Sequence, residues 1–253
     1  MRRKVRLIIG FSIAVALICF VFVYLEVNPL DAFISAPEFA RFFMKNFLPP
    51  SFKNIDSYLP LVIETVLFSL VATYISAFFA FVFGILISEK TNPIRWLRMT
   101  VRFIMSFMRN IPVLVWAAFM VYIFGIGSLV GLISLVIATL GFLARSYGES
   151  LNEIAGSKIE ALRASGASYP QILIHGIIPE FVPSWINWTL FSFEINIRAS
   201  AVLGMVGAGG IGIMIQTNIR LFKYREAFSL ILILLAMVLL TELATNRIRK
   251  AVR

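Results

Sequence analysis

Long apolar runs separated by short polar segments dominate this chain and predict membrane-spanning helices. A spanning helix needs about 20 consecutive apolar residues, and the runs at 7–25, 60–88, 184–206 and 227–245 reach that length. A further run, 111–144, is uncharged for about 34 residues, which is too long for one crossing. The Gly-Ile-Gly-Ser stretch near its centre favours a turn, so this run is expected to cross twice. The pattern predicts an all-α, polytopic membrane protein with six transmembrane helices.

The basic residues orient these spans. Lys and Arg concentrate at residues 2–6, at 90–109 and at 247–253. Because cytoplasmic loops carry the excess of Lys and Arg, we predict that both termini and the 90–109 segment are cytoplasmic. The three cations within 220–225 do not fit, since they fall in a loop predicted to be outside. This distribution also explains the net charge of +10 without a nucleic-acid partner.

The polar segments divide the chain into two predicted domains. Residues 1–59 comprise an anchor span, whose apolar run is longer than that of a cleaved signal peptide, and an external loop with one short interfacial helix. Residues 60–253 form the transmembrane domain. Its largest cytoplasmic loop is predicted at about 148–183.

Composition excludes several functional classes. Apolar residues make up 60% of the chain and charged residues 14%, far from the balance of a soluble domain. Cys19 is the single cysteine, so the chain has no disulfide framework. The sequence contains neither a phosphate-binding loop nor a metal-ligand cluster, and it contains no nucleophile–base constellation. We therefore expect no catalytic residues, no metal site and no cofactor in this chain.

The glycines of the stretch GAGGIG, residues 207–212, satisfy the letters of a dinucleotide-binding motif. That motif requires a strand–helix–strand unit, whereas a membrane span precedes it here. We interpret Gly207, Gly209, Gly210 and Gly212 as a close-packed or unwound stretch at the outer end of the fifth span.

Two charged residues and a neighbouring amide lie within the fifth predicted span. Glu194 and Arg198 are four positions apart, hence on one helix face and able to pair, and Asn196 lies between them. Two interpretations stay open: a structural salt bridge, or a polar translocation path where Arg198 or Asn196 is available to an anion. Glu64, in the second span, is a weaker candidate of the same kind.

The cytoplasmic loop has a helix–break–helix pattern. Ser157 and Glu160 can form a capping box, and Gly166 can stop the helix that follows. A second helix is predicted from Tyr169 to Pro179. Such a segment can be a rigid, protruding binding site for a cytoplasmic partner, or it can be a plain connecting loop.

This loop resembles the EAA loop of bacterial ABC-importer permeases. The pattern is Glu-Ala-Ala, three residues, Gly, nine residues, Ile-x-Leu-Pro, and Glu160, Ala161, Gly166 and Pro179 match it in register. Three positions depart: Leu162 replaces the second Ala, Gly176 the Ile, and Ile178 the Leu. Of these, Gly176 is expected to loosen the second helix.

The stretch FEINIRASAVLGMVGAGGIG, residues 193–212, is similar to the phosphonate-importer permease branch, as are Arg109–Pro112 and the region 124–153. The resemblance implies a MetI-like permease core and inward transport of a phosphonate, phosphite or phosphate ester. It also implies a homodimer in the bacterial inner (plasma) membrane, two cytoplasmic ATPase subunits that bind ATP and Mg²⁺, and an extracytoplasmic binding protein. The four EAA residues would couple to the ATPase, and Glu194, Asn196, Arg198 and the four glycines would line the path.

Other functions remain possible at this point. The chain could be an ABC permease for another small solute, or an ion-coupled secondary transporter or channel with Glu194 and Arg198 as a relay. A membrane-bound hydrolase is disfavoured because no nucleophile–base set is present.

Overall fold

The structure, a computed structural model, describes residues 2–26, 28–53, 55–154 and 156–252. All regular elements in these ranges are helical, which confirms the all-α class. The chain divides into two compact units, Met1–Pro50 and Ser51–Arg253. The helices are α1 (Arg2–Tyr24), α2 (Pro29–Phe47), α3 (Ile55–Ile87), α4 (Arg95–Asn110), α5 (Val113–Phe124), α6 (Ser128–Glu153), α7 (Gly156–Ala164), α8 (Tyr169–Ile172), α9 (Ile178–Leu203), α10 (Gly210–Arg220) and α11 (Tyr224–Val252).

The first unit holds two helices. The segment Lys4–Tyr24 of α1 is long and apolar enough to cross a membrane, as the sequence predicted. Helix α2 is the short helix expected in the following polar segment. It begins with Pro29 in its first turn, and the Asn28 side chain caps it by accepting a hydrogen bond from Leu30 N at 3.1 Å.

The second unit holds the remaining candidate spans. Helices α3, α6 and α11 are each long and apolar enough to cross, as is the nearly continuous helix Tyr169–Ala208. With α1 these make five candidate spans in the described ranges, and six when the bent pair α4–α5 is counted as one. The predicted domain boundary after residue 59 falls inside α3, because polar residues such as Asp56 extend the helix beyond its apolar run.

The run 111–144 differs from its prediction. The expected turn is present, since α5 ends at Phe124 and α6 begins at Ser128. However, α5 has only 12 residues, about 18 Å, which is too short to cross alone. It continues α4 through an 88° bend.

The segment ending at Arg109, predicted as a cytoplasmic loop, is helix α4. A helix was not predicted here, although amphipathic helices can be rich in arginine; the cytoplasmic side of this segment stays a prediction. Val101 and Met105, four residues apart, are buried, and the last turn rests on Gly141 of α6. A Cβ atom on Gly141 would lie 2.8 Å from Arg109 N. The absence of a side chain at this position therefore allows α4 to approach the middle of α6.

Glycines also allow α3 and α6 to pack closely. A Cβ atom on Gly84 would lie 2.8 Å from Cβ of Tyr147, and one on Gly148 would lie 2.8 Å from Cγ2 of Ile87. Tyr147 is fully buried there, and its hydroxyl is 2.6 Å from the Thr189 hydroxyl of α9. This contact joins α9 to α6, which is itself packed against α3.

The chain folds back on itself at the C-terminal end of the long helix. A π-helical turn, Gly204–Ala208, contains Gly207 at φ 101°, and α10 begins two residues later at Gly210. Helix α10 then packs against α9, where a Cβ atom on Gly212 would lie 1.9 Å from the Ala201 carbonyl oxygen. The predicted unwound, close-packed glycine stretch is confirmed.

We expect Gly212→Ala to destabilise the protein. The added methyl group forces α9 and α10 apart, and overpacking of this kind costs about 1–3 kcal/mol. The measurement is thermal unfolding of the detergent-solubilised protein. Gly127→Ala is the matched control, because a Cβ atom there meets nothing within 4 Å. Equal midpoints for the two variants would contradict the close packing.

Candidate functional site

Helix α7 presents the matched EAA residues on an exposed face. Glu160 and Ala161 are exposed, whereas Ile159 is buried and Leu162 packs against the same core cluster. Ile159 and Leu162 are three residues apart and lie on one face. The short helix is therefore fixed to the bundle by one side and open to a partner on the other.

Gly166 ends α7 as the sequence predicted. Its φ of 80° lies in the left-handed region, and two hydrogen bonds close the helix end. Gly166 N donates to Arg163 O at 3.0 Å, and Ala167 N donates to Leu162 O at 3.1 Å. This is the Schellman arrangement. The predicted cap at the other end depends on the side chain of Ser157, and that side chain is outside the part of the chain that the structure describes.

Two departures from the EAA pattern compensate each other. Gly176 is buried, and a Cβ atom on it would lie 2.7 Å from Cδ1 of Leu162. The larger residue at position 162 thus occupies the space that a side chain at position 176 would need. Gly176 lies in the π-helical turn Leu173–Ile177.

The second helix does not end at Pro179, which corrects the prediction. Helix α8 begins at Tyr169 as expected, with the Gln171 side chain accepting a hydrogen bond from Ser168 N at 2.8 Å. It then passes through the π-helical turn directly into α9. Proline lacks an N–H and its ring crowds the carbonyl four residues before it. Because the helix is widened just before Pro179, where Ile178 N bonds to Leu173 O five residues back, it continues through that residue.

The connection between α3 and α4 forms hydrogen bonds with the chain on both sides of α7. The Lys90 ammonium donates to Ile154 O just before α7, and the Tyr169 hydroxyl donates to Thr91 O just after it. Asn152 Oδ1 accepts from Ser88 Oγ at 2.9 Å and from Glu89 N at 2.8 Å. The base of α7 is thereby built from residues 88–92.

Glu194 pairs with Arg249, not with Arg198. Arg249 Nη2 lies 2.8 Å from Glu194 Oε1, and Thr245 Oγ1 donates to the same oxygen. The predicted Glu194–Arg198 pair was wrong, because α11 brings a partner whose position the spacing along α9 cannot reveal. Arg198 is exposed and has no hydrogen bond or ion pair within the described part of the chain.

Asn196 is buried and its amide is fully engaged. Its Nδ2 donates to Thr73 Oγ1 of α3 at 2.9 Å, and its Oδ1 accepts from Thr139 Oγ1 of α6 at 2.8 Å. Asn196 therefore joins three helices, and the anion-binding interpretation passes to Arg198.

The glycine stretch lies beside Glu64. Ile211 N, at the start of α10, donates to Thr65 Oγ1 at 2.9 Å, and Ser128 Oγ donates to Glu64 Oε1 at 3.1 Å. A Cβ atom on Gly209 would lie 3.0 Å from that same carboxylate oxygen. Gly209 and Gly210 thus let α3 and α6 approach the corner between α9 and α10.

Sequence reasoning missed Arg249 and Thr245 as partners of Glu194, and it placed Arg109 in a loop. The sequence signal that could have identified Arg249 is that the last apolar run continues as a helix into the basic tail. Residues 2–26, 28–53, 55–154 and 156–252 contain no group of three His, Cys, Asp or Glu side chains that could hold a metal ion.

Comparison with known proteins places this geometry in a family. A model of the family described as binding-protein-dependent transport system inner membrane component matches residues 80–253. The phosphite transport system permease protein PtxC of Stutzerimonas stutzeri is 30% identical over 203 residues, covering 80% of this chain and 74% of the relative. The phosphate-import permease protein PhnE of Mycolicibacterium smegmatis is 30% identical over 207 residues, 82% of this chain but 39% of that longer protein.

A solved structure supports the same fold. An inward-facing conformation of the MetNI methionine ABC transporter contains a chain that is 30% identical, with a TM-score of 0.63 over 76% of this chain and 96% of that one. An amino acid ABC transporter at 16% identity shows the same fold, with a TM-score of 0.66.

We expect Glu194 and Arg249 to be energetically coupled. Removing either partner leaves the other's charge unsatisfied in a largely buried site, at a cost of about 1–3 kcal/mol. Glu194→Ala and Arg249→Ala should each lower stability in detergent unfolding titrations, and the double variant should lose less than their sum. Arg198→Ala is the control, and its loss should add to that of Glu194→Ala. Coupling to Arg198 with additivity at Arg249 would contradict the observed pair.

Proposed function

Since this chain belongs to the family of binding-protein-dependent transport system inner membrane components, as a permease subunit of the ABC-importer type in the bacterial inner membrane, we propose that it carries phosphite or a related phosphonate inward. Two of its relatives are named for phosphite and phosphate transport. The observation that carries the proposal is Arg198, a fixed positive charge in an apolar span with no partner among the described residues. Its planar donor fork suits phosphorus-bound oxygens.

The path would follow the exposed stripe of α9. Phe191, Ile195, Arg198 and Val202 recur at helical spacing and are all exposed within this single chain. An arginine facing hydrocarbon costs several kcal/mol, so this stripe must meet water or protein. We propose that a second copy of the permease faces it, and that the path lies between the two copies.

Energy would come from a partner. The chain has no phosphate-binding loop, so two cytoplasmic ATPase subunits would bind ATP and Mg²⁺ and dock on the exposed face of α7. An extracytoplasmic binding protein would deliver the anion. This assignment requires that α7 and both termini be cytoplasmic. An ion-coupled secondary transporter or channel is not favoured, because the matched family and the relatives are importer permeases.

The substrate is tested with the complex reconstituted in proteoliposomes from the permease and the ATPase and binding-protein subunits that copurify with it. We expect phosphite or methylphosphonate to stimulate ATP hydrolysis and to be taken up. Sulfate serves as the control for an oxyanion of another element, and L-methionine as the control for the substrate of a solved relative. Stimulation by L-methionine alone would identify a permease for another small solute.

The docking role of α7 is tested in the same system. Glu160→Lys reverses a charge on the exposed face, and a loss of about 1.4 kcal/mol in docking free energy weakens ATPase association about tenfold. We expect reduced ATPase copurification and uptake with normal membrane insertion. The matched control is Glu38→Lys, which reverses an exposed charge on α2. Wild-type copurification and uptake in Glu160→Lys would exclude docking at α7.

A further inference from the structure

A cavity of about 190 Å³, partly open to the protein surface, lies at the corner between α4 and α5. Helices α6 and α9 form its other walls. At ~30 Å³ per water molecule, it has room for about six waters, or for a small tetrahedral anion with part of its hydration shell. It is lined by Arg109, Val113, Leu135, Ala138, Thr139, Phe142, Ser192, Ile195, Asn196 and Ala199.

The cavity lies level with the middle of α6. The backbone of Arg109 contacts Gly141, which is near the middle of α6 and roughly 20 Å from either end at ~1.5 Å per residue. A charged side chain at this depth is costly unless it meets water, a counter-charge or a ligand. Arg109 is exposed and lines the cavity, and within the described residues its side chain has neither a hydrogen bond nor an ion pair.

Two further groups that favour an anion belong to the lining. Ser192 lines the cavity, its side chain is 2% exposed, and its hydroxyl has no hydrogen-bond partner. Helix α5 begins without a side-chain cap at Val113, which lines the cavity, so the positive end of its dipole lies beside this space. Thr139 and Asn196, by contrast, bond to each other.

The lining contains no carboxylate. An arginine, an unpartnered hydroxyl and an uncapped helix N-terminus all favour a negatively charged ligand, and the apolar walls formed by Leu135, Phe142 and Ile195 strengthen these interactions by excluding water. A cation in this cavity would be repelled by the Arg109 guanidinium, and the Asn196 amide oxygen beside it already accepts a hydrogen bond.

We propose that this cavity is an oxyanion subsite within each permease protomer, in which Arg109 and Ser192 bind the phosphorus oxyanion during its passage. The subsite rests on the proposed function and deepens it, because it adds a binding position that belongs to one copy of the chain. The substrate would enter it from the α9 stripe, since Ile195 borders both.

The test uses the reconstituted complex with the binding protein loaded with phosphite. Arg109→Gln removes the charge, and Arg109→Lys keeps the charge but loses the donor fork. Loss of a charge-assisted hydrogen bond corresponds to about a 10- to 100-fold change. We expect phosphite uptake to fall by that factor in Arg109→Gln and by less in Arg109→Lys, while ATP hydrolysis stimulated by the loaded binding protein stays within about twofold of wild type. Arg95→Gln, at the opposite end of α4, is the matched control.

Chemical protection gives a second readout. In a Cys19→Ala background, Ser192→Cys places the only thiol in the cavity. We expect phosphite to slow its modification by a small thiol reagent, with chloride at equal ionic strength as the control. Thr100→Cys, on the exposed side of α4, should show no protection.

The outcomes separate the two proposals. A wild-type complex that takes up no phosphorus oxyanion contradicts the proposed function. Wild-type uptake combined with unchanged uptake in Arg109→Gln, or with no protection at position 192, overturns the subsite alone. Equal loss of ATP hydrolysis and uptake in both Arg109 variants also overturns it, since that result assigns Arg109 to folding.

Discussion

The hydrogen bonds of the Asn196 amide set the arrangement on which the rest of the bundle depends. In hydrocarbon, an unsatisfied polar group costs several kcal/mol, so Asn196 must find partners from neighbouring helices. It donates to Thr73 of α3 and accepts from Thr139 of α6. These two bonds fix the rotation and the height of α9 against both helices. The register in turn decides which side chains line the cavity beside the network and which remain unpartnered.

The long helix from Tyr169 to Ala208 connects α7 to the glycine corner. Its N-terminal end contacts α7 through Gly176 and Leu162, and its C-terminal end turns at Gly207 into α10. Two π-helical turns, Leu173–Ile177 and Gly204–Ala208, interrupt its regular hydrogen bonding. Such turns occur often at functional sites. A displacement of α7 by an ATPase would therefore be transmitted along one helix past the Asn196 network to the glycine corner.

The charges within the spans fall into two groups with different physical consequences. Glu194 is neutralised by Arg249 and receives a further hydrogen bond from Thr245, so its charge is accounted for inside the protomer. Arg109 and Arg198 have no such compensation among the described residues. In the proposed function, their counter-charge would come from the anion, from water or from a second copy. This contrast is why the proposals for transport rest on the two arginines and not on the glutamate.

The sequence by itself determined the features that depend on local chain properties. The length of the apolar runs gave the candidate spans, the Gly-Ile-Gly-Ser stretch gave the turn before Ser128, and Gly166 gave the end of α7, because only nearby residues contribute to each. Only the tertiary structure decided that Glu194 meets Arg249, that α4 is a helix reaching the middle of α6, and that Leu162 occupies the space beside Gly176. Each of these depends on how helices distant in sequence rotate and pack against one another. Spacing along one helix specifies which residues share a face, but the identity of the neighbour opposite that face is set by the packing of the whole bundle.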